Sequence, residues 1–88
     1  MAEQIDSGGD GDTMDRAIII NAKSTAKGIT AEYDFIASKC GQKNLDWTFE
    51  SQMAMRSNGR HYDYIKVKLK NGGEKSFYFD ITQFYGKF

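Results

Sequence analysis

Few residues in this sequence have the chemistry for catalysis, so their spacing decides how they are read. His61 is the only histidine and Cys40 the only cysteine. A thiolate–imidazole pair is the nucleophilic arrangement open to them. However, Cys40 falls on the apolar stripe of a predicted helix, where cysteine acts as a small hydrophobe, and His61 sits at a predicted turn. One histidine and one cysteine also supply too few soft ligands for a zinc site. The acids of DSGGDGD, residues 6–12, have the loose spacing of a calcium loop but lack its distal bidentate glutamate and flanking helices. The other carboxylates are scattered singly, without a pair that could divide acid and base roles. The reading is a chain that is not an enzyme, with no catalytic residue, metal or cofactor.

The ribbon HYDYIKVKLKNGGEKSFYFDI, residues 61–81, carries more information. Its apolar positions Ile65, Val67 and Leu69, then Phe77, Phe79 and Ile81, share one parity, and the lysines and tyrosines share the other. That is the pattern of strands with one dry and one wet face. The candidate binding residues on the wet face are Arg56, Tyr62, Tyr64, Lys66, Lys68, Lys70 and Tyr78, interspersed with Glu50, Gln52 and Asp80. Tyrosine and arginine are the residues that anchor protein interfaces, so the leading expectation is a small protein-binding module of inhibitor or adaptor type. It would act through this face or through a free sheet edge, which could also pair two copies into a homodimer. The alternative is single-stranded nucleic acid, with lysines tracking phosphates and tyrosines stacking on bases.

These side chains need strands to hold them, and three are predicted. In WTFESQMAMR, residues 47–56, Trp47, Phe49, Met53 and Met55 alternate with polar residues and are assigned to the core. Keeping that assignment requires a long, bulged turn at Ser57–Arg60 in place of a tight Asn58-Gly59 turn, and it sets Phe49 opposite Leu69 and Met53 opposite Ile65. A three-residue Asn71-Gly72-Gly73 loop pairs Val67 with Phe77 and Ile65 with Phe79. Upstream, Ala17–Asn21 is a short β-branched strand, and residues 22–29 are a connection. A helix of about three turns is capped by Thr30 and stopped at Gly41, with Glu32 and Asp34 in its first turn. Ile29, Tyr33, Ile36 and Cys40 form its buried stripe. Phe84, Tyr85 and Phe88 are too many aromatics to leave loose: the preferred reading is that they close the bottom of the core, the alternative that they meet a partner.

The expected fold class is therefore α+β, a two-layer β-α-β-β-β domain. It has an antiparallel three-strand meander, an N-terminal edge strand, and one helix across the apolar face. This order is similar to that of cystatin-like helix-on-sheet folds. No cystatin binding motif accompanies it, and a fold alone implies no function.

At 88 residues the chain fits one small domain that buries roughly 60% of its unfolded surface. Residues 1–15 hold five acids and no base, while residues 16–88 hold twelve bases and seven acids. The division expected is a disordered acidic arm over 1–14 and a folded domain over 15–88. On the nucleic-acid reading the arm is an internal competitor for the basic face. The lone cysteine and the lack of a secretory leader or an apolar span point to a cytoplasmic protein away from membranes.

Overall fold

The computed structural model describes residues 4–86. It is an α+β fold with five strands and one α-helix: β1 Gln4–Gly8, β2 Ile18–Asn21, α1 Thr25–Cys40, β3 Trp47–Ser57, β4 Arg60–Leu69 and β5 Glu74–Asp80. The sheet order is β1-β2-β5-β4-β3. All pairs are antiparallel except β2 with β5. The meander and the joining of Ile18–Asn21 to it follow the sequence pattern.

The arm expected to be disordered over 1–14 differs from residue 4 onward, residues 1–3 lying outside the described residues. Gln4–Gly8 pairs along the outer side of β2. The loop that follows is held by hydrogen bonds from Gly9 N to Ala17 O and Gly11 N to Arg16 O, and by one from Tyr78 N to Gly11 O. Two of its acids are answered by bases: Asp10 pairs with Arg16 at 2.8 Å and Asp12 with Lys75 at 3.5 Å. Backbone pairing at a sheet edge needs no apolar side chains, so low hydrophobicity did not prevent it.

The helix is longer than its sequence signals suggest. Ser24, not Thr30, is the N-cap, its side chain accepting from Lys27 N at 3.3 Å. Gly28, which reads as a breaker, is buried where a Cβ would overlap the ring of Phe84. The earlier start moves Glu32 to mid-helix and adds Gly28 to the buried residues, with Ala31, Glu32 and Ile36. Of the expected stripe, Ile36 is buried, Tyr33 and Cys40 pack partly buried against the core, and Ile29 is 43% exposed. Phe35 meets Phe77 and Phe79 edge-on at 6.0 and 5.9 Å. Ile18, Ile20, Ile36, Trp47, Ile65, Val67, Phe77, Phe79 and Phe84 complete the core.

Both turns correct the expected register. Asn58 and Gly59 take φ of 53° and 78°, a tight two-residue turn pairing Ser57 with Arg60. The parity of β3 is thereby reversed near the turn: Met53 lies opposite Tyr64 and Met55 opposite Tyr62, away from the core. A bulge between Phe49 and Ser51 absorbs the extra residue, and it restores Trp47 and Phe49 to the helix side. Asn-Gly is the strongest short hairpin signal, and two flexible methionines tolerate the outside better than Trp47 would. Trp47 is buried, stacks on Tyr33 at 6.3 Å and donates from Nε1 to Gly41 O at 2.7 Å.

At the other turn the left-handed glycine is Gly72, with φ of 93°. Ile65 therefore pairs with Phe77, and Asp63 with Phe79. This is a two-residue shift from the expected register, and two residues preserve the faces. At the C-terminal end Phe84 is buried as expected. Tyr85 is instead 52% exposed and stacked on His61 with centroids 3.8 Å apart. Phe88 lies outside the described residues.

Candidate functional site

The helix covers one face of the sheet. On the other face, cross-strand pairing sets Met53 beside Tyr64, Tyr64 beside Tyr78, and Met55 beside Tyr62. The Tyr64 and Tyr78 rings are 5.0 Å apart at 58°, and Tyr64 Oη shares a 2.8 Å hydrogen bond with Ser76 Oγ. Both rings are half-buried by their neighbours, while Met53 is 58% exposed. Lys66 and Lys68 stand at the far end of the same face, and Lys66 Nζ is 3.8 Å from Glu74 Oε1. At the near end Asp80 is buried and accepts from Arg60 Nε at 2.6 Å and from Thr82 Oγ1 at 2.6 Å. Burial pushes the Asp80 carboxyl up, but the bonds from Arg60 and Thr82 outweigh it and hold the group below its ordinary value.

Of the seven residues assigned to this face, Tyr62, Tyr64, Lys66, Lys68 and Tyr78 are together and two are not. Arg56 lies opposite His61 on the helix side, because the tight turn reversed its parity. Lys70 falls in the turn after β4, where its N–H donates to Asp46 O. It lines an open depression of about 640 Å³ with Lys39, Cys40, Asp46, Leu69, Asn71 and Lys75. The face gains Met53 and Met55 in their place. The signal for that was the Asn58-Gly59 dipeptide.

A second polar cluster lies under the helix. Glu32 and Asp63 are buried at 1% and 5% exposure, and Gln52 Nε2 donates to both Asp63 oxygens at 2.8 Å. Burial raises the Glu32 carboxyl from 4.5 to about 10, reinforced by the hydrogen bond and charge of Asp63. Glu32 is thus a neutral acid at physiological pH. Asp63 shares the parity of Ile65 and Val67, and that was the sequence signal for it.

Cys40 and His61 are far from each other. Cys40 adjoins Leu69 at one end of β4 and His61 is near the other, roughly 27 Å away by strand rise. Burial also raises the Cys40 thiol, against the opposing charge of Lys75. Among the described residues no three His, Cys, Asp or Glu side chains gather as metal ligands, and no helix is long and apolar enough to cross a membrane. Compared with known proteins, the chain matches no family model, no curated protein and no solved structure.

Proposed function

We propose that this domain is a non-enzymatic protein-binding module of inhibitor or adaptor type, working in the cytoplasm through the tyrosine–methionine face of its sheet. The observation that carries this reading is the Met53–Tyr64–Tyr78 row with Met55–Tyr62 alongside. Tyrosine offers a large contact area at small entropic cost, and the rings already constrain one another. Methionine adapts its shape to a partner. Lys66 and Lys68 at one end favour a segment with apolar anchors followed by acids.

The register weakens the nucleic-acid alternative. Arg56 and Lys70 leave the face, and two lysines, Lys66 and Lys68, are few to neutralise the phosphates of a strand. Of the arm's acids, Asp10 engages Arg16 and Asp12 engages Lys75. Lys75 lies opposite Val67 on the helix side, so Asp12 is drawn away from the tyrosines.

The test is selection of a random-peptide display library on the full chain, with a Tyr64→Ser, Tyr78→Ser variant as counter-target. The expected consensus pairs apolar anchors with acids, and each tyrosine truncation should weaken binding about tenfold. Peptides that ignore both tyrosines would overturn the reading. So would tight, steeply salt-dependent binding of a mixed-sequence oligonucleotide in anisotropy measurements.

A further inference from the structure

The free side of β3 has a property independent of what the face binds. Between the bulge at Glu50 and the turn at Asn58-Gly59, residues Ser51–Ser57 form a straight, regularly paired run. It has no proline, lysine or acid, and Arg56 is its one charged residue, so it carries few of the devices that normally blunt a sheet edge. The opposite edge, β1, is five residues long and interrupted by its own irregularity between Ile5 and Ser7. Among the described residues, Ser51–Ser57 of β3 is thus the stretch of sheet edge left open as a pairing template.

We propose that its occupant is a second copy of this chain, with β3 paired antiparallel to β3 about a two-fold axis at Ala54. Ala54 is the midpoint of the straight run, so this register uses all of it and stops at the bulge on one side and the turn on the other. Directly opposed residues share a face. On the tyrosine side Met53 meets the partner's Met55, extending the row to Tyr78–Tyr64–Met53 and onward to the partner's Met55 and Tyr62. On the helix side Gln52 meets the partner's Arg56. The Gln52 amide nitrogen is committed to Asp63, so its oxygen accepts from the guanidinium, linking that cation to the Asp63 carboxylate. Isologous pairing of this kind closes at two copies and joins the two sheets into one.

The test is sedimentation velocity of the full chain, with reductant present to keep Cys40 from cross-linking, across the micromolar range. The weight-average mass should rise to twice that of the monomer. Two double variants read the register. Met53→Lys with Met55→Lys places like charges opposite each other at both seam positions and should weaken association about tenfold or more. Met53→Lys with Met55→Glu places opposite charges there and should retain the dimer. Met53 is exposed and Met55 only half-buried, and Trp47 fluorescence checks that both variants fold. A monomer at every concentration would overturn the proposal, as would two variants that associate equally or both fail to associate.

Discussion

Glu32 is on the buried side of α1 with Asp63 beside it, and among the described residues its Oε2 has no hydrogen-bond partner. The cost of ionising it there keeps its proton bound up to about pH 10. The unfolded chain releases that proton above 4.5, so this group's contribution to stability is complete below 4.5. It is then lost as pH rises toward about 10, at up to about 1.4 kcal/mol per pH unit. Asp80 works with the opposite sign. Its carboxyl is held below its ordinary value, so its stabilisation is present above the unfolded value and is lost in acid. Glu32→Gln keeps a donor toward Asp63 and removes the ionisation. In denaturant titrations followed by Trp47 fluorescence, the variant should overtake wild type increasingly as pH rises and leave the acid limb unchanged. Parallel curves for the two proteins would contradict this account. Half of the cluster was legible beforehand, since Asp63 interrupts an apolar parity. Glu32 was not, because a helix starting at Thr30 would have left it in an exposed first turn.

The misplaced elements share one cause, a local signal weighed against a longer pattern. In β3 the odd-position alternation from Trp47 to Met55 suggested one continuous face. The Asn58-Gly59 turn sets the parity instead, and the bulge after Phe49 reconciles it with Trp47. Deleting Glu50 would leave Phe49 opposite Val67 and Ser51 opposite Lys66 in an unbroken ladder. The deletion variant should therefore fold, and it should self-associate at least as strongly as wild type, because its straight edge is longer. A chain that fails to fold, judged by circular dichroism, would show the bulge to be needed. In α1, Gly28 argued for a loop on propensity, yet it is the close approach of Phe84 that requires glycine. Propensity alone predicts that Gly28→Ala stabilises by about 1 kcal/mol. The packing predicts a loss of about 1 to 3 kcal/mol, and the sign of the shift in melting temperature distinguishes them.

At the scale of the whole molecule, the sheet has one face closed by a helix and one face bearing tyrosine and methionine, with β3 running along its open edge. The two-layer architecture was readable from strand parity and helix period, because those patterns are set by burial across many residues. The composition of the open face was only partly readable. Tyr62, Tyr64, Lys66, Lys68 and Tyr78 followed from β4 and β5 alone, whereas Arg56, Met53 and Met55 depended on a bulge that periodicity does not reveal. The protein-binding reading and the self-pairing reading both rest on where those methionines point. The most direct measurement is a nuclear Overhauser spectrum of the full chain with labelled methionine methyls. The account predicts cross-peaks from the Met53 methyl to the Tyr64 ring and from the Met55 methyl to the Tyr62 ring. Cross-peaks from Met53 to Ile65 or Ile36 instead would return the methionines to the core and contradict it.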